Sequence, residues 1–324
     1  VLRQILQTQP HHAFALHLLG VIAHQAGKAD LAIGLIEEAI KHNGSVALSH
    51  ANLGEMYRQA GRLEEALRHG ERAVALDPRM VAAHGNLGIA CFDRKDYDRA
   101  EACQRQALSL DPQFAPALNN MGSICRARKQ VDEALDWYRK AIAANPNYVE
   151  SLSNLGAVLL EDERAEAAVA PLEQALRINP NHAEALCNLG MVRNALDQYD
   201  AAFALFRKAL QIRPDYAEAY IGLARLHHEK ESLAEAESCA RRAVALAPQK
   251  AEMCSQLGNI YTEMARSEEA RAMFEKALVI DPECNEALLG LGHLCMEGGD
   301  MEKAEALFRQ ALALKEDNLP ARFH

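Results

Sequence analysis

Residues 81–114 read VAAHGNLGIACFDRKDYDRAEACQRQALSLDPQF, and residues 115–148 read APALNNMGSICRARKQVDEALDWYRKAIAANPNY. Laid over one another, they share Asn at the sixth place (Asn86, Asn120) and Gly at the eighth (Gly88, Gly122). They share Ala at two later places (Ala100 and Ala134, Ala107 and Ala141) and then Pro (Pro112, Pro146). The register extends through the chain. Pro10, Pro78, Pro112, Pro146, Pro180, Pro214, Pro248 and Pro282 step by 34 residues, with one double step whose midpoint is Gly44. Both Ala places hold in every copy, from Ala32 to Ala304 and from Ala39 to Ala311. A fixed period of this length marks a stack of identical supersecondary units.

Each unit carries two apolar-periodic segments joined by a short polar turn. In the second unit these are Ala47–Gln59 and Leu63–Leu76, with Gly61 between them. Both have the helical spacing of apolar residues. The small residue at the eighth place and the two alanines allow neighbouring helices to approach closely. Acidic residues such as Glu65, Glu133, Glu235 and Glu269 sit near the start of the second segment, where a helix dipole favours them. Proline then ends that segment. One unit cannot bury its own apolar faces, but a stack can.

The L-G, A, A, P pattern at this period resembles the tetratricopeptide repeat. The resemblance covers the whole chain and implies an all-α fold, a right-handed superhelix (α-solenoid) of helix–turn–helix units. Nine full units are expected over 13–318, starting at 13, 47, 81, 115, 149, 183, 217, 251 and 285. Residues 1–12 match only a second helix, and 319–324 only the start of a further, truncated unit. No polar capping helix is evident at either end, which predicts a piece of a longer protein.

Composition narrows the function. The chain has 324 residues and a net charge of −10. An acidic surface gains nothing from counterion release on a nucleic acid or an anionic membrane. No run approaches the ~18 apolar residues of a membrane span. The eight cysteines include no CxxC pair and fall in apolar-periodic segments, so they predict packing in a reduced, cytoplasmic compartment. No GxSxG, HExxH or phosphate loop is present. The carboxylates Glu161, Asp162 and Glu163, and Glu37 with Glu38, read as solvated surface. No catalytic residue, metal site or cofactor is expected. The early histidines His11, His12, His17 and His24, and His50 and His84 one unit apart, are expected to pack or to line a groove. His17 and His24 lie two helical turns apart, which is too far for adjacent metal ligands.

The sixth place carries the functional signal. It reads Leu18, Asn52, Asn86, Asn120, Asn154, Asn188, Gly222, Gln256 and Gly290. Asn is a mediocre helix former, so local propensity does not ask for it. It is either a structural amide that bonds a neighbouring helix or a row of carboxamides on a concave wall. A carboxamide offers donor and acceptor together and can hold the backbone of an extended chain. With helices ~9–10 Å apart and an extended peptide rising ~3.3–3.6 Å per residue, one amide meets about every third ligand residue. The row resembles the asparagine ladder of protein O-GlcNAc transferases and their bacterial relatives. That resemblance implies that Asn52, Asn86, Asn120, Asn154 and Asn188 hold polypeptide, with Gln256 keeping only the amide. Leu18, Gly222 and Gly290 depart from the pattern. The chaperone-binding carboxylate clamp of the same fold needs Lys at the fifth place, and none is there.

The expected function is a protein-interaction module holding an extended polypeptide in a groove lined by Asn52, Asn86, Asn120, Asn154, Asn188 and Gln256. Two alternatives are the substrate-recruiting arm of a larger glycosyltransferase or sulfotransferase, and a scaffold that self-associates through uncapped ends. Three oddities complete the reading. Pro171 inside a second helix should kink it or delay its start. Gly70, where Tyr138, Phe206, Phe274 and Phe308 carry rings, predicts loose packing. Gly222 with Ala224 predicts a change of groove character near unit seven.

Overall fold

The computed structural model of the chain describes residues 2–316; the expected truncated repeat at 319–324 lies outside the described residues. Among the described residues there are nineteen α-helices and no strand. The first ten are α1 (Leu2–Thr8), α2 (Ala13–Gln25), α3 (Ala29–His42), α4 (Ala47–Gln59), α5 (Leu63–Leu76), α6 (Val81–Asp93), α7 (Tyr97–Leu110), α8 (Ala115–Ala127), α9 (Val131–Ala144) and α10 (Val149–Glu161). The rest are α11 (Ala165–Ile178), α12 (Ala183–Ala195), α13 (Tyr199–Ile212), α14 (Ala217–Glu229), α15 (Leu233–Leu246), α16 (Ala251–Glu263), α17 (Ser267–Ile280), α18 (Asn285–Glu297) and α19 (Met301–Glu316). The helices form two compact units that divide between Glu163 and Arg164.

Both turns of the repeat have a local cause. The turn from the first to the second helix puts one residue in the left-handed region in every repeat: Gly27, Gly61, Lys95, Lys129, Glu163, Asp197, Glu231, Ala265 and Gly299, with φ between 56° and 83°. This closes the first helix; the N–H after the left-handed residue bonds back across the last turn, as in Asp96 N–H to Cys91 O at 3.0 Å. Glycine takes that conformation freely and the six other residues do not. The turn back to the next first helix is an Asx turn beside proline. Asp77, Asp111, Asn145, Asn179 and Asp281 accept from the N–H two residues on, at 3.0–3.1 Å.

Within each unit, consecutive helices pack on one another, and each first helix also packs on the first helix of the next repeat in that unit. Second helices touch first helices and not one another. In each unit the first helices therefore form one continuous wall of an all-α solenoid. The alanines set that spacing. Ala66, Ala100, Ala134, Ala202, Ala236 and Ala270 are all but fully buried. The eighth-place glycines are equally constrained: a Cβ on Gly122 would lie 2.7 Å from the Tyr138 ring, and one on Gly190 2.7 Å from Phe206.

Two local expectations change. Helix α11 starts at Ala165, in register with the other second helices, and contains Pro171, so proline does not delay it. Packing around Gly70 is not loose. Gly70 is buried, and Leu87 of the next repeat closes over it, 3.0 Å from where a Cβ would stand.

Candidate functional site: an amide row on the first helices

The structure places Asn52, Asn86, Asn120 and Asn154 on the successive first helices α4, α6, α8 and α10 of the first unit. Asn188 and Gln256 stand on α12 and α16 of the second. All six side chains are half-buried. Three of the amides bond a neighbouring helix. Asn52 Nδ2 lies 3.3 Å from His17 Nε2, Asn86 Nδ2 donates to Ala51 O at 3.5 Å, and Asn154 Nδ2 donates to Asn119 Oδ1 at 3.0 Å. Each reaches back to the fifth place of the preceding repeat, so the amides do tie helices together. One of the two amide hydrogens is used in this way. The carbonyl oxygens of these three asparagines accept nothing among the described residues and are not buried. A fixed, solvent-facing acceptor remains on each.

Asn119 and Asn120 are organised further. Asn119 Oδ1 accepts from both Ser151 Oγ and Asn154 Nδ2, at 3.0 Å each. That fixes its amide, whose Nδ2 turns toward Asn120 Oδ1 at 3.5 Å. Asn120 Nδ2 is left buried without a partner. Gln256 behaves differently: its Nε2 donates to Glu286 Oε2 at 2.9 Å, on the helix ahead rather than behind. A second row of ties runs along the far end of the first helices. Arg58 pairs with Asp93 at 2.8 Å, and Arg126 with Glu161.

The breaks in the row have a steric cause that sequence reading missed. A Cβ on Gly222 would fall 2.3 Å from the Phe206 ring, and one on Gly290 2.3 Å from Phe274. Each ring comes from the second helix of the preceding repeat. Where that helix carries Ile36, Gly70, Gln104, Leu172 or Ala240, all buried, the next sixth place is Asn or Gln. Tyr138 is the exception, since Asn154 follows it. Its hydroxyl lies 3.2 Å from Ser123 Oγ, which ties the ring tip to its own repeat. The signal was present in the sequence as the alternation of Phe with smaller residues at one place of the second helix.

Two cavities lie along the first helices. Near Ala240, α14 carries Ala224 in place of glycine, and a cavity of about 630 Å³ lies beside it. Its lining includes Asn194, Arg225, His228, Gln256, Glu263 and His293. Near Gln104 a smaller cavity of about 180 Å³ opens between α6 and α8.

In the first unit His17 and His50 are buried and His69 is half-buried. His17 Nδ1 lies 2.9 Å from Ser49 Oγ, and His50 Nδ1 2.9 Å from His69 Nδ1. Burial pushes His17 and His50 below the usual imidazole range and takes His69 down to about 4. Burial and the Glu37 carboxylate, to which its hydroxyl donates, push Tyr57 up to about 12. The turn before α2 also brings His11 together with Glu38 and His42 of α3, their ligand atoms within 4.8 Å of one another. That grouping has the donor chemistry of a metal site. Glu38 and His42 lie four residues apart on α3, whereas His11 comes from the preceding turn, so spacing within the helix could show only two of the three.

Tetratricopeptide repeat models match residues 45–113, 78–145, 113–181, 181–249 and 256–318. This chain belongs to the tetratricopeptide repeat family. Tetratricopeptide repeats generally mediate protein–protein interaction and are generally non-catalytic. The fold is similar to that of a tetratricopeptide repeat protein from Parabacteroides merdae ATCC 43184, with a TM-score of 0.60 and 19% identity, covering 77% of this chain and 98% of that one. No curated protein matches the sequence. No helix among the described residues is long and apolar enough to cross a membrane.

Proposed function

We propose that this tetratricopeptide array holds an extended segment of another polypeptide along the first-helix wall, gripping its backbone through the asparagine row. The observation that supports this most is the fixed acceptor on Asn52, Asn86 and Asn154. Each amide is oriented by a bond to the preceding repeat, which leaves a carbonyl oxygen facing out at the same place of its helix. Preorganised acceptors bind with less loss of side-chain entropy than free ones. Backbone N–H groups of a strand-like ligand are their natural donors, and recognition through the backbone carries little side-chain preference.

Replacing Asn86, Asn120 and Asn154 together by Ala tests the reading. Binding to polypeptides captured by the wild-type chain should fall by roughly tenfold or more, at about 1 kcal/mol per lost hydrogen bond, with helix content unchanged by circular dichroism. Unchanged affinity for every captured partner removes the row from the function.

A further inference from the structure

The start of the chain departs from the repeat pattern at three places together. The place of His42 is apolar in every later repeat, from Leu76 to Leu314. The place of Glu38 holds Arg, Lys or Gln in every later repeat, from Arg72 to Gln310. The place of His11, directly after Pro10, holds residues such as Arg79, Gln113 and Asn147 and never another His. Helix α3 thus gives up an apolar residue and takes an acid where its counterparts are basic or neutral. Those two positions are four residues apart and share one helix face.

The fold brings the three departures to one point. His42 Nε2 lies 2.8 Å from Glu38 Oε1, and His11 Nδ1 lies 4.0 Å from the same oxygen. The two imidazole rings have centroids 4.3 Å apart and are tilted by 37°. Around a four-coordinate zinc ion with bonds of about 2.0–2.1 Å, ligand atoms stand about 3.3 Å apart. The observed 2.8 and 4.0 Å bracket that value, so small side-chain rotations close the set. Lys41 Nζ holds the other carboxylate oxygen, Oε2, at 3.4 Å, which leaves Oε1 to the rings. His12 is engaged elsewhere: its Nδ1 accepts from Ala15 N–H at 3.2 Å and caps α2. His11 and His42 are exposed and Glu38 is half-buried, so an ion reaches the cluster from solvent.

We propose that His11, Glu38 and His42 form a binding site for a late first-row divalent metal ion, zinc above all. Two imidazole nitrogens and one carboxylate oxygen suit zinc, nickel and copper. Magnesium and calcium take oxygen ligands instead. With its hydrogen on Nδ1, the His42 ring presents a lone pair at Nε2, and the ion takes the place of the hydrogen bond to Glu38. Three protein ligands leave a fourth position to water. A solvated ion pair on α3 would account for Glu38 and His42 but gives His11 no part, and exposed pairs contribute little. An ion held by both the α1–α2 turn and α3 binds the folded repeat and not the unfolded chain, so it stabilises the first unit by mass action. The proposal does not depend on the polypeptide-binding reading.

The test uses the whole chain, stripped of metal by a chelator and titrated with zinc chloride in a calorimeter, with magnesium chloride as the comparison. Zinc should bind saturably at one site and raise the melting temperature, and a chelator should reverse the rise. Magnesium should do neither. Three variants copy residues that other repeats carry at the same places: His42→Leu copies Leu76, Glu38→Gln copies Gln106, and His11→Gln copies Gln113. Each should weaken zinc binding by about tenfold or more and remove the melting shift, with helix content unchanged by circular dichroism. His11 lies in a turn outside every helix, so His11→Gln keeps the test sound if a change on α3 disturbs folding. Absence of saturable zinc binding, an equal response to magnesium, or a zinc affinity that survives His11→Gln overturns the assignment.

Discussion

The two units share a repeat and differ in what their second helices send toward the first-helix wall. In the first unit the ring place reads Ile36, Gly70, Gln104 and Tyr138, and four consecutive first helices carry Asn at the sixth place. In the second it reads Leu172, Phe206, Ala240, Phe274 and Phe308, and the sixth place alternates between an amide and glycine. Where a Phe ring arrives, the next first helix must give up its side chain. A polar binding row and an aromatic core thus compete for the same space, and each repeat settles the matter for the one that follows it.

Cutting the rings out of the second unit should have the largest effect. Phe274 is fully buried, and Phe274→Ala should cost about 3–5 kcal/mol. Hydrogen exchange across α16 to α18 measures it. A loss below about 1 kcal/mol would mean that the ring does not carry the packing of that unit.

Acid should weaken the first unit through its buried histidines. The folded-state values of His17, His50 and His69 lie below the unfolded value of about 6.5. The unfolded chain then binds more protons, so stability is full above that pH and is lost as pH falls toward about 4. Trp137, the single tryptophan, lies in the first unit and reports on it by fluorescence. Its denaturation midpoint should drop between pH 7 and pH 5, and His69→Leu should flatten the drop. A midpoint independent of pH in the wild type contradicts the burial of these rings.

The smallest effect concerns the shared turn. Ala265 sits at φ 56°, where Gly61 sits at 74° in the equivalent turn. Ala265→Gly should relieve strain of about 1 kcal/mol, and Gly61→Ala should cost a similar amount. Thermal melts of both variants check the pair, and equal signs would refute the account of the turn.

Much of this architecture was legible in the residues. The 34-residue register was legible, because glycine, alanine and proline carry steric meaning at fixed offsets. The amide row was legible as a pattern on one helix face. What could not be read was the division of labour within each amide, since the fifth place that receives its hydrogen varies from His17 to Ala51 to Asn119. A backbone carbonyl, as at Ala51, leaves no trace in a side-chain pattern. Gly70 misled because its missing ring is replaced by Leu87 from the next repeat, a contact between units of the pattern rather than within one. The His11, Glu38 and His42 grouping was hidden for the same reason.

A double-mutant cycle between Phe206 and Gly222 puts the competition to the most direct trial. Gly222→Asn alone should destabilise the second unit by about 1–3 kcal/mol, because its Cβ would enter the Phe206 ring. In a Phe206→Gln background, which copies the Gln104 and Asn120 pair, the same change should be neutral or stabilising, giving a coupling above about 1 kcal/mol. If Gly222→Asn costs the same in both backgrounds, ring and amide do not share one space, and the account of why the row breaks is wrong.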